Sequence, residues 1–168
     1  MPATWYSSFG SILLLMGALC LLAAAVHDLI ARTAPNWTAA ALAISGLALR
    51  LLHGQVLAGL LVGLVVFAVA AFCWRRGWMG GGDVKLLAAA AIFVPPAEVL
   101  TFITAVTMTG GVLALIYLAA RRIVRAPSPV RPRSLLARAL RVEQWRIRRG
   151  GPLPYACAIA AGSLFVLL

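Results

Sequence analysis

Six mostly apolar stretches follow one another along this chain, at about 7 to 30, 37 to 52, 55 to 74, 83 to 96, 97 to 120 and 153 to 168. A helix of about 20 apolar residues crosses a hydrocarbon core. The pattern therefore predicts an all-α, polytopic integral membrane protein of about six transmembrane helices, folded as a single membrane-embedded domain over residues 1–168. Only 11% of the residues are charged and 63% are hydrophobic, whereas soluble domains carry about 25% charge. Turn chemistry marks the breaks at Ala34-Pro35-Asn36, His53-Gly54, Gly80-Gly81-Gly82 and Pro95-Pro96, and a basic loop at about 121–152 ends in Gly150-Gly151-Pro152.

Orientation follows from the basic residues, which collect on the cytoplasmic side. The first basic residue, Arg32, lies after the first apolar stretch, so that stretch reads as a retained helix with its N-terminus outside rather than as a secretory signal. With the N-terminus outside, fourteen Lys and Arg face the cytoplasm and one, Arg50, does not. Six spans then place both termini outside and Asp28 and Asp83 inside. The net charge of +11 belongs mainly to ten arginines between Arg121 and Arg149. It is read as an anchor on anionic lipid headgroups, with docking of a partner protein as the alternative and no nucleic acid as partner. Leu135, Leu136, Leu140, Val142, Trp145 and Ile147 alternate loosely with those arginines, as in an interfacial amphipathic helix. Cys20, Cys73 and Cys157 are isolated and read as small packing residues; no metal site or cofactor is expected.

Acidic residues are the scarcest resource, with four in the chain, and ionised carboxylates near hydrocarbon are costly. Asp28 ends a helix running inward and Asp83 opens one running outward, so both sit at similar depth. Two carboxyl groups close together in a poorly hydrated site share a proton and titrate as a unit. The ionised member can then activate a water while the protonated one stabilises an oxyanion, hydrolysing a peptide without a metal or a covalent intermediate. The glycines before Asp83 are read as giving the backbone unusual conformations and letting an extended substrate approach. The fourth helix, about 14 residues or ~21 Å long, falls short of a ~30 Å core and implies a thinned or water-filled recess at Asp83. The plain structural alternatives are that Asp83 is an N-cap and that Asp28 pairs with Arg32 four residues on.

Three segments carry a resemblance. Gly80-Gly81-Gly82-Asp83-Val84-Lys85-Leu86 resembles the G-x-G-D-x-K-L segment of the type IV prepilin leader peptidases. Asp28 with Pro35-Asn36 resembles that family's first aspartate and Ile-Pro-Asn segment, with Ala34 in place of Ile. Pro154-Tyr155-Ala156-Cys157-Ala158-Ile159-Ala160 is similar to its late Pro-Tyr-Gly-x-Ala-Ile-Ala stretch, with Ala156 in place of Gly.

The resemblance implies an aspartic endopeptidase of the bacterial inner membrane, with periplasmic termini. Asp28 and Asp83 would be its catalytic pair, with Gly80, Gly82, Lys85, Pro35, Asn36, Pro154 and Tyr155 as supporting residues. It would remove the basic leader of prepilins or pseudopilins at the cytoplasmic face, after a glycine. The short chain, without a cysteine-bearing domain, looks like the subgroup serving Tad/Flp-type pili, the CpaA or TadV kind, and implies cleavage without methylation.

Lys85, the only lysine, is read as snorkelling to the headgroups, with contact to leader carbonyls or tuning of the two aspartates as the alternatives. Pro35-Asn36 is read as shaping the first turn. Gly59-x-x-x-Gly63 permits close helix contact, chiefly within the chain and secondarily in a homodimer. Competing functions are a small ion- or proton-coupled carrier, a presenilin-like intramembrane protease and a non-catalytic anchor.

Overall fold

The computed structural model describes residues 3–124 and 134–167; residues 125–133 of the basic loop read at about 121–152 lie outside them. Among the described residues there are helices and no strands: α1 Ala3–Ala31, α2 Asn36–Leu52, α3 Val56–Arg75, α4 Gly81–Phe93, a 3₁₀ turn at Pro96–Glu98, α5 Val99–Ile123, α6 Leu135–Arg149 and α7 Tyr155–Leu167. Each apolar stretch forms a helix, the conformation that satisfies backbone N–H and C=O groups within its own segment. Three of them are long and apolar enough to cross a membrane, within Ser8–Ala31, Val56–Arg75 and Pro96–Ile123. Asn36–Leu52 and Tyr155–Leu167 are apolar but shorter.

The long helices turn leucine and valine outward. Leu57, Leu61, Leu64, Val65, Leu115 and Leu118 are all exposed, an apolar surface far larger than a protein in water tolerates. By contrast, α4 lies inside. It packs against α2, α3 and α7, while α1 packs on α2 and α7, and α5 on α7. Its alanines 88 to 91 and Phe93 are buried. At 13 residues, α4 is about 20 Å long.

Glycine lets the backbones come this close. A Cβ on Gly46 of α2 would lie 2.8 Å from the Phe93 Cα, and one on Gly63 of α3 would run into Ile92 Cγ1. Gly59 makes room for the Arg50 side chain. Both glycines of the Gly59-x-x-x-Gly63 motif are thus spent on contacts inside the chain. Arg50 is buried at the far end of α4, where it donates to the carbonyl oxygen of Phe93 at 3.3 Å and to Gln55 Oε1 at 3.1 Å. An end-of-helix carbonyl that has no intrahelical donor is satisfied there by a side chain.

Helix α6 arises inside the basic segment. Ser134 caps it, its hydroxyl accepting from the Ala137 N–H at 3.2 Å, and Gly150 closes it in the left-handed conformation at φ 67°. Leu140, Val142 and Trp145 are exposed on it, as an amphipathic helix lying at an apolar boundary requires.

Candidate active site

The end of the bundle where α1 finishes and α2, α4 and α7 begin holds a cavity of about 870 Å³, lined by Asp28, Arg32, Asn36, Gly80, Gly82, Asp83, Lys85 and Tyr155 together with Cys73, Trp78, Met79 and Leu153. Two aspartates 55 positions apart in sequence face one space, near enough for the charge of Asp28 to act on Asp83.

Asp83 is built locally. Gly80 is the N-cap of α4, and Asp83, three residues on, reaches back toward the Gly80 N–H, as the third residue of a capping box does. Asp83 is therefore not itself the N-cap. The need for glycine at 80 is one of space: a Cβ there would lie 2.8 Å from Asp83 Oδ2. Its backbone, at φ −72° and ψ 143°, is open to any residue. The expectation that these glycines supply unusual backbone conformations is corrected accordingly, since Gly81 and Gly82 are helical and the left-handed glycine of this loop is Gly77, at φ 75°. Gly82 admits the α1–α2 turn, because a Cβ on it would meet the Ala34 Cβ at 3.1 Å.

Pro35 caps α2 in extended conformation, and its carbonyl accepts from Thr38 Oγ1 at 2.7 Å. Asn36 opens α2 and accepts from Lys85 Nζ at 3.0 Å. Lys85 thus ties the start of α4 to the start of α2 instead of simply extending toward headgroups. His27, next to Asp28, bonds the Thr33 carbonyl at 2.7 Å.

Asp28 is held by distant parts of the chain. It is buried, and its Oδ2 accepts from the Ala156 N–H, in the first turn of α7, at 3.1 Å. First-turn amides of a helix have no intrahelical acceptor, so this one is available to a carboxylate. Pro154 and Tyr155 start α7 at that point: Pro154 is buried and its carbonyl accepts from Cys157 N–H, while the Tyr155 ring packs on Gly110 of α5.

Arg32 does not pair with Asp28. Its guanidinium bonds Glu143 of α6 and the Tyr117 hydroxyl of α5 and lies 5.5 Å from the Tyr117 ring centre. Its backbone is left-handed, with φ 56°, a conformation uncommon outside glycine and asparagine. Glu143 also bonds Arg146, whose Nη1 and Nη2 donate to the carbonyls of Leu29 and Ile30 at 3.1 Å each. In this way α6 closes the open end of α1 one residue past Asp28.

Sequence reasoning missed the cluster Arg32, Tyr117, Glu143 and Arg146, and the cavity wall at Trp78, Met79 and Leu153. The scarcity of acids that singled out Asp28 and Asp83 applies equally to Glu143. Among the described residues, the other acid, Glu98, lies exposed at the start of α5.

No curated protein and no solved structure matches the chain. Residues 15–115, which carry α1 from before Asp28 and α4 with Asp83, match the type IV leader peptidase family, and the chain belongs to that family of membrane proteases.

Proposed function

We propose that the chain is an aspartic endopeptidase that removes the basic leader of prepilins, with Asp28 and Asp83 as its catalytic pair. The observation that carries this reading is their meeting in one cavity from two helices that are not adjacent in sequence. The Ala156 amide occupies Asp28 Oδ2, which leaves Oδ1 to bind the attacking water. The ionised carboxylate takes a proton from that water as its oxygen bonds the scissile carbonyl carbon. The protonated partner hydrogen-bonds the carbonyl oxygen as charge develops, then supplies the proton that the leaving amine needs.

In this reading the protein is multi-pass, with about six spans and periplasmic termini, and the cavity opens at the cytoplasmic face of the inner membrane. Support comes from the skew of basic residues, with Arg32, Arg75, Arg76 and Lys85 clustered by sequence at the cavity end and Arg50 at the other. The cavity serves as the water-filled recess that a short α4 calls for. Among prepilins, the proposed substrates are those of the Tad/Flp type. Helix α6 rests on anionic headgroups, so that its arginines neither repel the basic leader nor bind nucleic acid.

The test uses membranes containing the wild-type, Asp28→Asn or Asp83→Asn protein, incubated with a prepilin, and follows leader release. Each variant should lose at least about a thousandfold in rate. Near-normal release by either one would refute the pair, and ion flux lost alongside intact processing would point to a carrier.

A further inference from the structure

We infer that Tyr155 is a third catalytic residue, whose phenol hydroxyl donates a hydrogen bond to the oxygen of the scissile carbonyl beside Asp83. The inference rests on the peptidase reading and deepens it. Helix α7 carries three side chains with a polar group, Tyr155, Cys157 and Ser163. Two of them are engaged: Ser163 Oγ donates to the Ile159 carbonyl at 2.7 Å, and Cys157 Sγ donates to that of Ala25 at 3.6 Å. The Tyr155 hydroxyl has no hydrogen-bond partner among the described residues, and it is not sealed off from the space around it. The hydroxyl of Tyr117, by contrast, is held between Arg32 and Glu143. A tyrosine packed into a protein ordinarily finds a partner for its O–H, so a free one in a cavity with two aspartates is a donor awaiting an acceptor.

Position selects the acceptor. Tyr155 lines the cavity, partly buried, and the ionisable groups near enough to act on its oxygen are Asp83 and Cys73, which line the cavity too. Asp28 is not among them. The same turn of α7 sends the Ala156 N–H to Asp28 Oδ2, so its main chain fixes one carboxyl group while its phenol stands on the side of the other. Helix α5 limits how the ring can turn: a Cβ on Gly110 would lie 3.1 Å from Tyr155 Cε2 and 3.6 Å from its Cζ. With the attacking water on Asp28 Oδ1, the carbonyl oxygen falls toward Asp83. There it accepts from the protonated carboxyl group through one lone pair and from the Tyr155 hydroxyl through another. A phenol brings no charge that must be stripped of water, and its bond strengthens as the oxygen becomes negative.

The experiment reads kcat and KM of the full-length protein in vesicles, with Asp28→Asn beside it, on a synthetic peptide made of a basic leader, a glycine and the first residues of a mature pilin. Tyr155→Phe keeps the ring and its packing, so the thermal midpoint should not change. Its kcat should fall about ten- to a hundredfold with KM held within about twofold, less than the loss of a sole oxyanion donor because Asp83 still donates. A second peptide carries sulfur in place of the scissile carbonyl oxygen, a poorer acceptor. The rate penalty of that sulfur should be smaller in Tyr155→Phe than in the wild type, the signature of a direct pair. Gly110→Ala keeps the hydroxyl but presses on the ring, and should lower kcat about three- to tenfold, with no further loss when combined with Tyr155→Phe. If Tyr155→Phe does not fold, Gly110→Ala decides through the same two peptides: its sulfur penalty must be smaller than that of the wild type.

A wild-type kcat in Tyr155→Phe would overturn the inference, as would a fall in kcat with the full sulfur penalty retained, or a loss confined to KM. So would activity restored in full by a change of pH, since the hydroxyl would then act on Asp83 and not on substrate. In each of these cases Asp28→Asn stays inactive and the peptidase reading stands. Cleavage by Asp28→Asn at the wild-type rate would instead bring down that reading, and this inference with it.

Discussion

Asp28 and Asp83 reach one cavity by opposite routes. Asp83 starts a 13-residue alanine-rich helix enclosed by its neighbours, and its surroundings come from the residues beside it: Gly80, Gly82, Lys85. Asp28 ends a 29-residue helix that is largely exposed along its length, and its surroundings come from far away: Ala156 of α7, with Glu143 and Arg146 of α6. A short helix positions a carboxylate through its own first turn. A long one needs other elements to close its open end. The two halves of the site should therefore fail differently, the Asp83 half in chemistry at constant stability and the Asp28 half in chemistry and stability together.

The largest effect tests the local half. Gly80→Ala needs no change of backbone, since φ −72° and ψ 143° suit alanine, but its Cβ would lie 2.8 Å from Asp83 Oδ2. The atom that must move is the free end of a side chain, which costs little in folding, yet it is also the reacting group. Displacing a reacting group by about 1 Å costs on the order of a hundredfold in rate. Cleavage should fall by about that factor while the thermal midpoint in detergent stays within a degree or two. A drop in midpoint matching the loss of activity would show that Gly80 serves the fold instead, and would erase the contrast.

The same contrast explains what the sequence disclosed. The six apolar stretches mapped onto helices because each helix satisfies its backbone within its own segment, a property local to the stretch. Asp83 was legible for a similar reason, with its glycines, aspartate and lysine contiguous. What those glycines do was not legible: a glycine needed for a positive φ and one needed for side-chain room look alike in sequence, and Gly80 is the second kind. Of the surroundings of Asp28, the Pro154-Tyr155-Ala156 segment was marked only through the resemblance, and the contact itself, like those of Arg146, spans more than a hundred positions and could not be read from the sequence. Glu143 alone left a signal, being one of four acids in the chain, but a carboxylate among arginines reads as part of a solvated face until the helix carrying it is seen docked.

An intermediate effect tests the distant half. Arg146→Met removes the donors to the Leu29 and Ile30 carbonyls and one partner of Glu143. Hydrogen bonds from a charged donor are worth about 1.5–3 kcal/mol, and solvent access to this partly exposed side chain reduces that to about 1 kcal/mol. Cleavage should fall by about five- to tenfold, and the thermal midpoint should fall with it. Trp145, exposed on α6, supplies the readout: its fluorescence should shift, and α6 should become open to trypsin, if the helix has come away from α1. An Arg146→Met protein that keeps α6 protected and activity intact would mean that α1 holds Asp28 in place unaided.

The smallest effect concerns a side-chain tie between the two halves. Lys85 Nζ donates to Asn36 Oδ1, linking the first turn of the Asp83 helix to the helix that follows Asp28. Both side chains are exposed, so the bond is largely screened by solvent and should matter by well under 1 kcal/mol. Lys85→Met and Asn36→Ala should each slow cleavage about two- to threefold, and the double variant should be no slower than either single one, because a broken pair cannot be broken twice. Losses that multiply in the double variant would separate the residues: Lys85 would then act on the leader by itself and Asn36 on the turn, and the two aspartates would be coupled only through the cavity they share.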